Sequence, residues 1–175
     1  MKTLWLISFI EKYFKQEQIE SLFFIILGSI AICLAAVFLG IIKYSFFKGM
    51  AIPLLLIGSI QLTVGVMIYN RSPEDMYRVS QINITERSKL KTEELPRMEK
   101  VIKNLVVYKC IEIALIILGL IVFVIFYNSS QGFWKGFGLA LMIQAGIMLS
   151  LDIIAEKRGA EYLISLQKTI AFNNL

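Results

Sequence analysis

Histidine is absent from this 175-residue chain, and cysteine occurs only twice. The lack of histidine excludes Ser-His and Cys-His nucleophiles, histidine-ligated haem and histidine proton relays. Cys33 and Cys110 fall at different depths of the apolar segments described below, which argues against a disulfide, and two cysteines alone make no zinc site. The glycines lie inside apolar segments, so they form no phosphate-binding loop. We therefore expect no enzymatic activity and no cofactor.

Apolar residues, by contrast, make up 57% of the chain, and the mean hydropathy is +0.71. A soluble domain is usually about 45–50% apolar. A helix needs about 20 apolar residues to cross a bilayer, and its backbone groups pair internally, as lipid requires. Four segments meet this length: 22–42, 49–69, 105–127 and 133–155. The sequence therefore predicts a single domain, an all-α integral membrane four-helix bundle of two antiparallel hairpins.

Basic residues are concentrated in three places: before the first span, in the long connection 70–104, and after the fourth span. The two short connections carry only Lys43, Lys48 and Lys135. Since positive residues collect on the cytoplasmic side, both termini and the long connection are predicted to be cytoplasmic. We expect a multi-pass protein of the bacterial inner (cytoplasmic) membrane. No basic stripe interleaved with aromatic residues predicts nucleic-acid binding.

The segments outside the spans also have helical patterns. Residues 3–16 are predicted to form an amphipathic helix lying on the inner membrane surface. The third helix is expected to begin near Glu93, inside the cytoplasm, because acids and a proline favour a helix start there. The tail 156–172 continues the fourth helix with an apolar stripe. The second hairpin should therefore protrude from the membrane as a helical pair.

Charged residues in or beside the spans need an explanation, because hydrocarbon disfavours them. Lys109, Glu112 and Asp152 of the third and fourth spans fall near the inner end, where we predict a cluster between the two helices. This lip cluster consists of Lys109, Glu112, Asp152, Glu156 and Arg158. It is either a structural set of interhelical pairs with lysine snorkelling, or a cation or proton site, or a contact for a partner.

Two deeper polar residues, Gln61 and Gln144, are predicted to bond across helices and fix their packing. A substrate contact is the alternative. Gly58 and Gly65 give the second span a small face for close helix contact.

The two halves of the chain match in part. The motif 46–49, Phe-Phe-Lys-Gly, aligns with 133–136, Phe-Trp-Lys-Gly. Either the halves form a parallel repeat about an axis normal to the membrane, or two hairpins share a common type of outer turn. At the same offset two Arg-x-x-Glu pairs also match, and each can pair on one helix surface: Arg71 with Glu74, and Arg158 with Glu161.

The stretches 94–98, 111–115 and 152–158 (Glu-Leu-Pro-Arg-Met, Ile-Glu-Ile-Ala-Leu and Asp-Ile-Ile-Ala-Glu-Lys-Arg) resemble those of a group of small, uncharacterised bacterial proteins with four membrane helices. These motifs have no assigned chemistry. In size and topology alone, the chain also resembles immunity proteins, which protect a bacterium from secreted toxins that target membranes.

Three functions are compatible with these features. The first is a non-enzymatic protein that binds another membrane protein, in particular an immunity factor. The second is an ion channel or small transporter that works as a homo-oligomer. The third is an accessory subunit of a larger membrane assembly. The expected partners are accordingly the lipid bilayer and either a membrane protein or a second copy of the chain.

Overall fold

The computed structural model describes residues 2–85 and 88–172, and the side chains of residues 7–84 and 88–171. Within these ranges a one-turn π-helix, Leu90–Glu94, precedes the third of four α-helices. The α-helices are α1 Lys2–Gly40, α2 Ser45–Thr85, α3 Leu95–Phe126 and α4 Gly132–Phe172. The α1–α2 and α3–α4 pairs are antiparallel hairpins. The prediction of an all-α four-helix bundle is confirmed.

Each α-helix is much longer than a bilayer requires. All four contain a stretch apolar and long enough to cross a membrane, so the chain is a multi-pass membrane protein. At 1.5 Å per residue, the 39 residues of α1 extend about 58 Å, roughly twice the thickness of the hydrocarbon layer. About half of such a helix therefore lies beyond its span.

The two hairpins meet near their turns through a reciprocal contact of the repeated motifs. A methyl group on Gly49 would overlap the carbonyl oxygen of Phe133, and one on Gly136 would overlap the carbonyl oxygen of Phe46. Only glycine lets two helix backbones approach this closely. The two glycines thus make equivalent contacts, each with the backbone of the opposite hairpin. Both turns therefore lie at one end of the molecule, with the start of α1 and the end of α4 at the other.

The third helix is attached along one narrow seam. Among the described helices, the backbone of α3 closely approaches those of α4 and the adjoining π-helix but neither that of α1 nor that of α2. At the base of α3, side chains such as Arg97 do reach α1 and α2. Its buried residues are Met98, Glu112 and Gly119, at spacings that place them on one side of the helix. Within its span, therefore, a carboxyl group and a glycine face the protein, and most of the apolar circumference does not.

At the end that holds the termini, all four helices continue beyond their spans and pack together. We call this part the distal bundle: residues 7–21, 70–84, 88–104 and 156–171. Its core combines aromatic and aliphatic side chains from every helix and from the π-helix, with Phe14, Tyr162 and Leu90 among the most buried. The distal bundle is thus a packed four-helix unit, larger than the protruding helical pair that the sequence predicts.

The structure corrects the prediction of a separate surface helix at 3–16. The segment is helical, but it is continuous with the first span in α1. Ile10, Tyr13 and Phe14 form the expected apolar face, yet they are covered by the other helices of the distal bundle. The reason is that α2 and α4 extend as far as α1 does and offer it a protein surface. Side chains before Ile7 lie outside the described part.

Two other boundary predictions agree with the structure. The third α-helix begins at Leu95, directly after the π-helix, close to the predicted start at Glu93. The tail after the fourth span continues α4 to Phe172, and its apolar stripe packs into the distal core through Leu163, Leu166 and Ile170.

Candidate functional site

Four of the five residues of the predicted lip cluster meet in the seam between α3 and α4. Lys109 forms an ion pair with Glu156. One helical turn further into the membrane, the carboxyl group of Glu112 lies against that of Asp152. Both acids are buried, at 3% and 7% exposure. The structure therefore places these four residues of the predicted cluster together between the two helices.

Arg158 does not join them, and its prediction is wrong. Its guanidinium forms an ion pair with Glu20 of α1 and lies over the Tyr13 ring, 5.1 Å from the ring centroid. Because successive helical residues are rotated by about 100°, Arg158 points to the side opposite Glu156. Burial raises the pKa of Glu20, and the neighbouring Arg158 opposes that shift.

The deeper amides bond across helices as predicted. Gln144 Nε2 donates to Gln61 Oε1 at 2.6 Å, which joins α4 to α2. Gln61 is fully buried and Gln144 nearly so. The amide pair therefore lies between the two hairpins, at the helix pair that also holds the reciprocal glycine contact. Its geometry is that of a packing contact.

Replacing Gln61 by leucine is expected to lower stability by about 0.6 kcal/mol, the average for interhelical hydrogen bonds in a membrane protein. The loss should be small, because Gln61 Nε2 has no partner among the described residues and its burial is itself costly. A double-mutant cycle of Gln61→Leu and Gln144→Leu, read by unfolding in detergent, measures the coupling. Additive effects of the two substitutions would contradict the bond.

The distal bundle contains a network of acids and arginines that the sequence analysis missed. Glu94 is fully buried and accepts two hydrogen bonds from Arg97, at 2.9 and 2.7 Å. Arg78 links Glu94 to Asp75, with oxygen–nitrogen distances of 3.5 and 3.2 Å. Among the described residues, the acid–arginine network has six members, from every element except α4: Glu17, Arg71, Asp75, Arg78, Glu94 and Arg97.

Two stacked tyrosines connect this network to α4. The ring centroids of Tyr13 and Tyr162 are 4.4 Å apart, and the two rings are nearly parallel. The Tyr162 hydroxyl donates to Glu94 at 3.1 Å, and burial together with the nearby carboxylates raises the pKa of both tyrosines. Burial opposes the charge on Arg97, but the hydrogen bonds that Arg97 donates to Glu94 and the attraction of the nearby acids together outweigh burial and raise the Arg97 pKa. The tyrosines therefore stay protonated donors, and Arg97 stays charged.

The matched Arg-x-x-Glu pairs of the two halves do not pair internally. Arg71 instead forms ion pairs with Asp75 (Nε to Oδ2, 3.0 Å) and with Glu17 (Nη2 to Oε1, 3.7 Å). Glu74 is exposed. Glu161 is also exposed, on a shallow groove between α1 and α4. Arg71 and Arg158 nevertheless have one feature in common, because each forms an ion pair with an acid of α1.

Comparison with known protein families, curated proteins and solved structures gave no match. The function of the chain must therefore be inferred from its own side chains. No group of three or more metal-ligating side chains occurs in the described part of the chain. The acids of the acid–arginine network are neutralised by arginines, which is typical of a network that fixes packing. The carboxyl pair Glu112–Asp152 is different, because no arginine or lysine of the described part of the chain forms an ion pair with Glu112.

Proposed function

We propose that this chain is a non-enzymatic protein of the bacterial inner membrane that binds another membrane protein, with α3 as the contact helix. An immunity factor, which neutralises a toxin that targets the membrane, is the form of this function that we favour. The main observation behind this proposal is that α3 packs along one narrow seam against α4. A helix held by one seam presents most of its circumference to the bilayer, where a partner helix can pack.

The outward surface of α3 is suited to such packing. It is rich in β-branched residues, and Ile117, Ile121 and Val124 are about half exposed or more. β-Branched side chains have few rotamers in a helix, so they lose little entropy when a partner covers them. The distal bundle also supports the proposal. Its packed core and acid–arginine network hold the base of α3 in a fixed position, so the exposed surface of α3 keeps one orientation.

Co-purification tests this proposal. The full chain is tagged, expressed at its native level, extracted in mild detergent and analysed for stoichiometric partners. We expect one membrane protein to co-purify. If a neighbouring gene encodes a toxin, cells that express the toxin should survive only with this chain present, and equal killing would reject the immunity role. Recovery of the chain alone, or only of copies of itself, would contradict partner binding.

Topology is a separate prediction. Fusions of green fluorescent protein to either terminus should fluoresce, because the basic residues place both ends in the cytoplasm. Alkaline phosphatase inserted after Ser129, in the α3–α4 turn, should be active, because that enzyme works only outside the cytoplasm. The reverse pattern would contradict the orientation, and with it the cytoplasmic position of the distal bundle.

A homo-oligomeric channel or small transporter is the second candidate. The observation that favours it is the buried carboxyl pair of Glu112 and Asp152 at the α3–α4 seam. Flux through proteoliposomes should then fall when Glu112→Gln and Asp152→Asn are introduced. The accessory-subunit function differs from the first proposal only in the nature of the co-purified partner.

A further inference from the structure

Glu112 and Asp152 bring two carboxyl groups together in the seam between α3 and α4, where both side chains are buried. Their carboxyl groups are within hydrogen-bonding range of one another across the seam. Neither oxygen of Glu112 receives a hydrogen bond from any described donor, although the side chain is only 3% exposed. Ionised carboxylates only accept hydrogen bonds, so this contact is a bond only if one of them carries a proton.

The surrounding charges do not neutralise the pair. Lys109, one turn away on α3, is the cation that acts on both carboxyl groups, but its ammonium binds Glu156 of α4. No charged group of α1 or α2 among the described residues acts on either acid. Two negative charges would therefore remain in the seam, and buried charges without partners are strongly disfavoured.

A proton fits this site better than a metal ion. Hard cations such as Ca²⁺ and Mg²⁺ take six or more oxygen ligands. Here two carboxyl groups face each other between two helices, whose backbone carbonyl groups are engaged in helical hydrogen bonds. A proton needs only the two carboxyl oxygens that it joins.

We propose that Glu112 and Asp152 bind one shared proton at neutral pH, and that this proton joins α3 to α4. The site does not depend on the proposed partner. It makes the attachment of α3 sensitive to pH: the folded chain keeps a proton that the unfolded chain releases above the ordinary carboxyl pKa of about 4. Stability should therefore be greatest at low pH and fall as the pH rises through the range in which the pair loses its proton.

Infrared spectroscopy of the full-length protein in lipid nanodiscs tests this site. The carbonyl band of a protonated carboxylic acid should be present at pH 7 in the natural chain. The band should be lost in the double variant Glu112→Gln with Asp152→Asn, in which two amides keep the contact without a proton. Glu74→Gln, at an exposed acid, and Glu20→Gln, at the acid paired with Arg158, should both leave the band unchanged.

A natural chain without this band at pH 7 would overturn the proposal, and that result needs no variant to fold. A band of equal area in the double variant would also overturn it. So would a band that disappears at constant pH when sodium is added, because a cation would then occupy the site. As a second readout, the thermal midpoint of the natural chain should decrease from pH 5 to pH 9, relative to that of the double variant.

Discussion

Gly136→Ala is expected to destabilise the fold by more than about 3 kcal/mol, an exceptional cost for one methyl group. The added methyl would overlap the carbonyl oxygen of Phe46, which belongs to a helix backbone and cannot rotate away. Relief requires the two hairpins to separate. Gly49→Ala should have a similar effect, because the reciprocal contact with Phe133 has the same geometry. Unfolding in detergent measures both.

Gly146 and Gly40 provide matched controls. A methyl group at either position would meet no atom within 4 Å. Alanine at Gly146, inside α4, should therefore leave stability unchanged or raise it by up to about 1 kcal/mol, because alanine favours the helix. Equal effects at Gly136 and Gly146 would contradict the close approach of the hairpins.

Glu94→Gln is the second substitution expected to have a large effect, a loss of about 3–5 kcal/mol. Glu94 is fully buried and holds Arg97 and the Tyr162 hydroxyl through its two oxygens. Glutamine keeps the shape but removes the charge, so Arg78 and Arg97 would be left with the half-buried Asp75, which Arg71 also contacts. Removing one partner of a buried ion pair costs more than the pair itself contributes.

Glu93→Gln is the control, since Glu93 is the exposed neighbour of Glu94. Its effect should stay within about 0.5 kcal/mol. Both variants change one acid to its amide in the same π-helix, so local helix propensity is matched. If Glu94→Gln were as mild as Glu93→Gln, the acid–arginine network would contribute nothing to the distal bundle.

The sequence predicts those parts of this fold that depend on local pattern. Long apolar segments identify the spans, and the contact of Gln61 with Gln144 follows because a buried amide in lipid needs a polar partner. Asp152 and Glu156 are four residues apart, which places both on the side of α4 that meets α3. Arg158 is only two residues beyond Glu156, but a rotation of about 200° turns it to the opposite side of α4.

The acid–arginine network could not be predicted in the same way. Glu17, Asp75 and Glu94 lie on different elements, and their pairing depends on how far each helix extends beyond the membrane. The π-helix adds a second difficulty. Pro96 has no N–H to donate to the carbonyl group of Thr92, so the turn before α3 departs from regular α-helix. Helical periodicity therefore does not carry across the π-helix, although Glu94 lies four residues before the buried Met98 and shares its face.

Site-specific photocrosslinking in living cells tests the central proposal, that α3 contacts a partner protein. A photoreactive residue is placed at Ile117 of α3 or at Ile30 of α1, which are similarly exposed, at 52% and 50%. We predict a crosslink to a second membrane protein from position 117 and none from position 30. Crosslinks only to lipid, or equal protein crosslinks from both positions, would contradict the assignment of α3 as the contact helix.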